Sequence, residues 1–219
     1  MKIRIENASK SIKGKMVLRN ISLELSSGRI YGLQGKNGSG KTMLLRLLCG
    51  LILPTMGKVI IDGAELGGDA SFPKSVGVLI ENPGFIGNYT GFKNLKILAS
   101  INNAISDQEI ISLMRYLDLN PYDGKKVRAY SLGMKQKLGI TSALMENPKL
   151  ILLDEPINAL DEASSEKVLR ALKERKKAGA LIVISSHNKE ELDYLSDSVI
   201  EIRDGSIVST INGGNSDDS

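Results

Sequence analysis

The sequence has 219 residues, a formal net charge of +4 at pH 7 and a single cysteine. This length supports one large domain with a full hydrophobic core, and the interspersed acidic and basic side chains indicate a solvated surface without a long basic run. The lone Cys49 excludes an internal disulfide framework and favours a reducing compartment. Because no apolar run approaches the roughly 18 residues that a membrane span needs, we expect a soluble protein.

Short strand patterns and turn signals occupy residues 1–87. Residues 2–6 alternate charged side chains with isoleucine, which predicts a strand and not a signal peptide. That strand, residues 21–25 and the mostly apolar residues 29–33 together predict antiparallel β-structure. The next predicted elements are a helix over 43–49, stopped by Gly50, and strands over 59–61 and 76–80.

Residues 88–146 change to a helical pattern, which predicts an α-helical subdomain inserted into an α/β core. Its helices are expected over 92–101, over 106–117 with Ser106 as N-cap, and from Ser131 to about residue 145. Residues 147–211 return to the core pattern, with predicted strands over 150–153, 181–185, 199–202 and 206–210 and predicted helices over 162–177 and 188–195. We therefore predict a single domain over 1–211 and, from its Gly, Ser and Asp content, a disordered tail over 212–219.

Residues 35–42 read Gly-Lys-Asn-Gly-Ser-Gly-Lys-Thr, the spacing of a phosphate-binding P-loop between a strand and a helix. The glycines let backbone N–H groups approach phosphate oxygens, and the following helix directs a partial positive charge at the anion. Lys41 is expected to reach the β- and γ-phosphates, and the Thr42 hydroxyl to ligate Mg²⁺. The alternative is a glycine-rich turn that only links a strand to a helix. The predicted nucleotide-binding residues here are Gly35, Asn37, Gly38, Ser39, Gly40, Lys41, Thr42 and Met43.

Two acidic residues, Asp154 and Glu155, follow the apolar run 150–153. A carboxylate at the end of a buried strand costs free energy unless it meets a cation or hydrogen-bond donors. Beside a P-loop, Asp154 is placed to hold the Mg²⁺ of a nucleotide, and Glu155 is a candidate general base for the water that attacks the γ-phosphate. The alternative for such a pair is helix capping.

Three further positions carry both a structural and a functional interpretation. Asp161 is a natural N-cap for the helix over 162–177, and Ser131 is a natural N-cap for the helix that it begins. The Ser131 hydroxyl, the Gly133 amide and the helix N-terminus together are also a candidate anion site. A lone histidine is usually structural. The only histidine here, His187, follows the strand over 181–185, where open α/β sheets bind ligands, so it is a candidate to contact phosphate or the attacking water.

Taken together, these motifs resemble the nucleotide-binding subunit of an ABC transporter over about residues 2–211. On this resemblance, residues 35–42 are the Walker A loop and residues 150–154 are Walker B. Ser131 and Gly133 match the signature, Glu155 is the catalytic glutamate, Asp161 ends the D-loop and His187 is the switch histidine.

The resemblance implies a P-loop NTPase cassette of the α/β class: a mixed β core, an antiparallel β subdomain and an inserted helical subdomain. It implies that ATP with Mg²⁺ binds between the Walker A loop of one cassette and the signature of another, in a homodimer or a pair of different cassettes packed head to tail. It further implies a separate membrane permease as partner, a peripheral location on the cytoplasmic face of the membrane, and no nucleic-acid partner.

Three positions depart from the family pattern. Glu81 stands where the family usually has a Mg²⁺-ligating glutamine, and it is expected to act as a ligand through its carboxylate. The segment around Glu81 and the signature Tyr-Ser-Leu-Gly-Met are similar to cassettes of bacitracin and lantibiotic exporters. Ile12 stands where an aromatic residue would stack on adenine, so we expect apolar contact with the base there without stacking.

These features favour an ATPase subunit that powers export of a peptide antibiotic, a bacteriocin or another drug. The alternative is a non-transport ABC ATPase that acts on nucleic acid or ribosomes. About 90 residues separate Lys41 from Ser131, which leaves no room for the long coiled coil of DNA-repair types, and the chain carries one cassette without a charged inter-cassette linker. A P-loop kinase gives no reason for a second phosphate-facing motif at Ser131.

Overall fold

The computed structural model describes residues 1–81 and 83–212, and its strands form two sheets. The strands are β1 (Lys2–Ile12), β2 (Lys15–Ser26), β3 (Ile30–Gln34), β4 (Met56–Ile61), β5 (Ala64–Glu65), β6 (Val76–Leu79), β7 (Leu150–Asp154), β8 (Leu181–Ser186), β9 (Ser198–Arg203) and β10 (Ser206–Asn212). The helices are α1 (Lys41–Leu48), α2 (Gly91–Asn102), α3 (Asp107–Tyr116), α4 (Leu132–Leu144), α5 (Glu162–Lys177) and α6 (Lys189–Leu195), with a 3₁₀ turn at Val127–Ala129.

The larger sheet has the strand order β10-β9-β3-β8-β7-β6; β9, β3, β8, β7 and β6 run parallel to one another, and β10 pairs antiparallel with β9. The first four residues of β3 and of β7 and all of β8 are buried, as expected for strands covered on both faces. Because these strands are parallel, their carboxyl ends meet at one edge of the sheet. That edge positions the functional site.

The smaller sheet is antiparallel, in the order β2-β1-β4-β5. The prediction that residues 29–33 belong to the antiparallel region is wrong, because β3 pairs in parallel with β8 and β9. β1 is also longer than the predicted 2–6, and register shifts against β2 interrupt the alternation of its side chains, which hides the second half of the strand from a period-2 pattern. The two-residue strand β5 has no comparable sequence signal.

The helices α2, α3 and α4 share a separate core that includes Leu95, Ile110, Met114 and Leu138. A capping box starts α3, as the sequence predicts: Ser106 Oγ accepts from the Glu109 N–H at 3.3 Å, and the Ser106 N–H donates to Glu109 Oε2 at 2.8 Å. Packing of α4 against β6 and β7 joins this helical region to the parallel sheet. Among the described residues, no helix has both the length and the apolar composition to cross a bilayer.

The C-terminal hairpin continues one residue past the predicted boundary at 211. Asn212 pairs with Ser198 in the β9–β10 ladder, and its Oδ1 accepts a hydrogen bond of 2.9 Å from Ser198 Oγ. The predicted disordered tail therefore does not include Asn212, and residues 213–219 lie outside the described part of the chain.

Gly77 in β6 lies against the carboxyl end of α4. A Cβ at this position would overlap the Ala143 carbonyl and lie 2.8 Å from Pro148 Cγ. Because the obstacle is helix backbone, Gly77→Ala is expected to lower the free energy of unfolding by about 1–3 kcal/mol, measured by urea denaturation. Gly124→Ala, at a site open to solvent, is the matched control and should change it little. Equal unfolding midpoints for the two variants would contradict the close packing of α4 on β6.

Candidate functional site

The loop of residues 35–40 connects the carboxyl end of β3 to α1. Its last residue, Gly40, has φ of 115°, a conformation that side chains rarely tolerate, and the Gly40 carbonyl accepts the Leu44 N–H of the first helical turn at 2.9 Å. Ser39 is 7% exposed, and its Oγ has no hydrogen-bond partner among the described residues. Buried hydroxyl groups without a hydrogen-bond partner are uncommon, and this one is available to hydrogen-bond a polar ligand bound at the loop.

Lys41, the first residue of α1, lies beneath this loop and is 6% exposed. Its Nζ donates to the carbonyl oxygens of Gly35 at 2.7 Å and Lys36 at 3.4 Å, and lies 4.0 Å from Glu155 Oε1. Burial of an ammonium group costs free energy unless the group is well paired. Two carbonyls and one distant carboxylate leave this cation suited to an additional anionic partner, as predicted for a phosphate.

Asp154 ends β7 directly beside α1 and β8. Its Oδ2 accepts from Thr42 Oγ1 at 2.7 Å, and its Oδ1 accepts from the hydroxyl of Ser185, its neighbour across the β7–β8 ladder. The predicted metal ligands Thr42 and Asp154 are therefore adjacent. Within the described residues no group of three or more His, Cys, Asp or Glu side chains forms a metal cluster. This sparse oxygen set fits Mg²⁺, which is typically held by one or two carboxylates together with phosphates.

Glu155 occupies the centre of the predicted catalytic residues. Its Oε2 lies 2.8 Å from His187 Nδ1, and its backbone has φ of 49°, an uncommon value for a glutamate. Backbone hydrogen bonds hold this conformation: the Glu155 N–H donates to the Ser185 carbonyl at 3.1 Å, and the Glu155 carbonyl accepts from Gln136 Nε2 at 3.0 Å. Such constrained positions concentrate at functional sites. The structure thus brings Glu155, His187 and Lys41 together.

Glu81, the predicted third metal ligand, forms an ion pair with Arg46 of α1, at 2.8 Å between Oε2 and Nη2. The Glu81 side chain is 58% exposed, and its φ of 58° again lies in the left-handed region. Asn82, the next residue of this predicted segment, lies outside the described part of the chain. Glu81 is therefore beside the site, with its carboxylate held by a cation of the same chain.

A cavity of about 580 Å³ runs along the P-loop and contains the predicted metal ligands and Glu155 at its walls. A second cavity, of about 590 Å³, lies on the other side of the loop and includes His187, Gly35 and Ser39. The residues that line the first cavity are Lys15, Met16, Val17, Arg19, Asn37, Gly38, Gly40, Lys41, Thr42, Met43, Glu81, Asp154, Glu155, Asp204 and Gly205.

Four of the predicted site residues do not line either of these cavities. Ile12 is 37% exposed and lies near the turn between β1 and β2. The others are Ser131, Gly133 and Asp161, each outside the two cavities of the P-loop.

Ser131 and Asp161 fulfil their structural interpretation as helix caps. Ser131 Oγ accepts the Met134 N–H at 3.2 Å to begin α4, and Asp161 Oδ1 accepts the Ser164 N–H at 2.8 Å to begin α5. The backbone N–H and the side chain of Ser164 lower the pKa of the Asp161 carboxyl below its ordinary value. A Cβ on Gly133 would lie 2.8 Å from the Ala159 carbonyl, so the signature and the D-loop are neighbours.

Three polar residues of the site were not predicted from the sequence. Ser185 holds Asp154, Gln136 holds the Glu155 backbone, and Glu191 of α6 accepts from Ser186 Oγ at 2.7 Å. Burial raises the pKa of the Glu191 carboxyl above its ordinary value, an effect that the Ser186 hydrogen bond opposes. Only Ser185 has a sequence signal, since it is a hydroxyl residue at the end of an otherwise apolar strand.

Comparison with known proteins identifies the family of the chain. A family model described as "ABC transporter" matches residues 18–158. An uncharacterized ABC transporter ATP-binding protein of Bacillus subtilis (strain 168), YybJ, is 48% identical over 203 residues, which cover 93% of each chain. Among solved structures, an ATP binding subunit of an ABC transporter superposes with a TM-score of 0.87 at 25% sequence identity, covering 97% of this chain and 90% of that chain.

Two further relatives carry a transport function in their names. The lantibiotic transport ATP-binding protein SrtF of Streptococcus pyogenes is 33% identical over 94% of this chain and 89% of its own length. The bacitracin transport ATP-binding protein BcrA of Enterococcus faecalis is 36% identical over 96% of this chain and 69% of its own length. These matches confirm the resemblance seen in the motifs. With its cassette fold and its P-loop site, the chain belongs to the ABC transporter family, as an ATP-binding subunit with ATPase activity.

Proposed function

We propose that this chain binds ATP with Mg²⁺ in the cavity along the P-loop, hydrolyses it with Glu155 as general base, and powers a separate permease that exports a peptide antibiotic or another drug. The observation that carries the catalytic part is the convergence of Glu155, His187 and Lys41 at the carboxyl ends of β7 and β8 and the start of α1.

The side chains divide the catalytic work. Lys41, buried under the loop, binds the phosphates, and Glu155 accepts a proton from the attacking water. The contact of 2.8 Å with His187 restrains one Glu155 oxygen, while the other faces Lys41. Thr42 and Asp154 hold Mg²⁺, which neutralises charge on the phosphates when bound, and Ser185 fixes the Asp154 carboxylate.

A second cassette completes the site. Ser131 is exposed at the start of α4, and neither it nor Gly133 lines a cavity of the P-loop in the same chain. The adjacent Leu132 is 63% exposed, which suits a contact surface. A helix N-terminus with an exposed serine hydroxyl and a glycine amide binds anions well. We propose that this end of α4 contacts the ATP of a second chain, in a head-to-tail homodimer or paired cassette on the cytoplasmic face of the membrane.

The export assignment is supported by Glu81 and by the names of relatives. Glu81 replaces the usual glutamine, as in the cassettes of bacitracin and lantibiotic exporters that this segment resembles. SrtF and BcrA are named for lantibiotic and bacitracin transport. Transport by this chain's own complex is therefore proposed to concern the same class of compounds.

Purification from native membranes tests this proposal. The full chain, with an affinity tag, is expected to retain a polytopic membrane protein in near-stoichiometric amount, identified by mass spectrometry. Cells that carry only Lys41→Ala should become more sensitive to peptide antibiotics such as bacitracin, measured as a lower inhibitory concentration. Ribosomal proteins or nucleic acid that stay bound at moderate salt, without a permease, would instead support a non-transport ATPase.

The ion pair between Arg46 and Glu81 gives a prediction about metal binding. Glu81→Gln retains an oxygen ligand, and an exposed ion pair contributes about 1 kcal/mol or less, so ATPase turnover is expected to stay within about fivefold of wild type. Arg46→Gln, which removes the other partner, is the matched control and should have a similar small effect. Phosphate release across a Mg²⁺ titration measures both variants. A hundredfold loss in Glu81→Gln alone would show that the carboxylate charge is required.

A further inference from the structure

One wall of the cavity along the P-loop has no role in the chemistry described above. It is formed by four residues of β2, Lys15, Met16, Val17 and Arg19, here called the β2 wall. The opposite parts of the cavity carry the phosphate- and metal-binding groups. A nucleotide whose phosphates lie on the loop must place its base somewhere beyond them, and the β2 wall borders the same cavity.

The β2 wall touches the P-loop directly. The Val17 carbonyl lies 3.3 Å from a Cβ built on Gly40, and the Arg19 N–H donates to the Gly205 carbonyl at 2.7 Å. The register between β1 and β2 shifts from the Lys10–Leu18 pair to the Ser11–Met16 pair, which leaves Val17 without a partner in β1. This local bulge re-aims the strand toward the loop, as bulges commonly do beside functional sites.

Ile12 takes no part in the β2 wall. It pairs with Lys15 next to the turn of the hairpin, is 37% exposed and does not line the cavity. The prediction that Ile12 contacts the base therefore has no support from the cavity, and none of the lining residues is aromatic. Another side chain must supply any face contact to a base.

Arg19 has the chemistry for that contact. Its guanidinium is a planar cation that stacks on nucleobases, whereas a lysine ammonium is a point charge without a plane. Across the described residues, the salt bridges of the chain do not include Arg19, so its guanidinium is not committed to a carboxylate. Met16 and Val17 add a polarisable thioether and an apolar surface beside it.

We propose that Arg19 stacks on the nucleobase of the bound nucleotide, with Met16 and Val17 packing against the same base. This inference rests on the proposed ATP site and adds its base-binding part. Stacking contacts the π-face that every base has, and it does not contact the hydrogen-bonding groups at the edge by which the bases differ. The site therefore accepts guanine nucleotides nearly as well as adenine nucleotides.

Equilibrium binding of ADP, GDP and inorganic pyrophosphate to the purified full chain, by isothermal titration calorimetry with Mg²⁺, tests this inference without turnover. Pyrophosphate lacks both the base and the ribose, so the ratio of its Kd to that of ADP measures the contribution of the nucleoside. Arg19→Ala is expected to weaken ADP binding about tenfold more than pyrophosphate binding. Arg19→Lys keeps the positive charge but removes the planar guanidinium, so it should lower the ratio of the pyrophosphate Kd to the ADP Kd as Arg19→Ala does. Wild-type Kd values for ADP and GDP should agree within about threefold.

Two controls separate stacking from other effects. Lys15→Ala removes one positive charge from the same wall, and it should change ADP and pyrophosphate binding by equal factors. Ile12→Tyr should leave the ratio unaltered. Equal weakening of both ligands in Arg19→Ala, or a tenfold gain of ADP affinity in Ile12→Tyr, would overturn the proposal while Lys41-dependent binding still supports the ATP site. ADP binding that survives Lys41→Ala would overturn the site itself and this proposal with it.

Discussion

Glu155→Gln is expected to lower steady-state ATP hydrolysis by about 10² to 10⁴-fold while ATP binding persists. The substitution keeps the size of the side chain and the backbone hydrogen bonds to Ser185 and Gln136, so the loop after β7 keeps its conformation. It removes the carboxylate that accepts a proton and that contacts His187 at 2.8 Å. Release of inorganic phosphate by the purified chain, with its partner, measures the loss.

The same variant also tests pairing of cassettes. If ATP closes two chains and hydrolysis reopens them, Glu155→Gln should elute as a dimer from a sizing column that contains ATP and as a monomer without it. Glu166→Gln, an exposed glutamate of α5 that lines neither P-loop cavity, is the control and should hydrolyse ATP at the wild-type rate. An unchanged turnover number in Glu155→Gln would remove this residue from the mechanism.

Lys41→Ala is expected to weaken ATP binding by about a hundredfold or more. The ammonium is the buried cation of the loop, and charge-assisted hydrogen bonds to phosphate are among the stronger polar contacts in proteins. Calorimetric titration with ATP measures the effect. The unfolding temperature should fall little or even rise, because the variant no longer buries a charge that only two carbonyls and a carboxylate 4.0 Å away compensate.

A control lysine distinguishes local from general charge effects. Lys74 is exposed and lies outside both P-loop cavities, so Lys74→Ala should bind ATP like the wild type. Wild-type affinity in Lys41→Ala would contradict the assignment of residues 35–42 as the phosphate site.

Sequence patterns predicted those helices and strands whose ends are determined by neighbouring residues, such as caps and turn residues. The helix over 162–177 was predicted with the bounds of α5, because an aspartate cap precedes it and Gly179 follows it. The pairing of β3 could not be predicted in this way: its partners β8 and β9 lie some 150 or more residues along the chain, and periodicity does not identify a partner strand.

In the candidate site, too, features formed by adjacent residues were predicted and contacts between residues far apart in sequence were not. Spacing alone predicted the P-loop and the roles proposed for Lys41 and Thr42, because a P-loop is a motif of adjacent residues. The contacts of Ser185 with Asp154 and of Arg46 with Glu81 join residues far apart in sequence, so no spacing reveals them. The resemblance to the family predicted that Ile12 lies near the base. In the structure the bulge at Val17 brings residues of β2 to the cavity, and Ile12 does not line it.

The Gln136 side chain has a mechanical consequence. Its amide nitrogen donates to the carbonyls of both Glu155 and Pro156, at 3.0 Å and 2.9 Å, and thereby tethers the amino-terminal half of α4 to the backbone of Glu155, the proposed general base. A rotation of α4 must either carry that backbone along or break both bonds. A displacement of the helical region is thus transmitted to the Glu155 backbone through the Gln136 side chain, and a displacement of that backbone is transmitted to α4 by the same contacts.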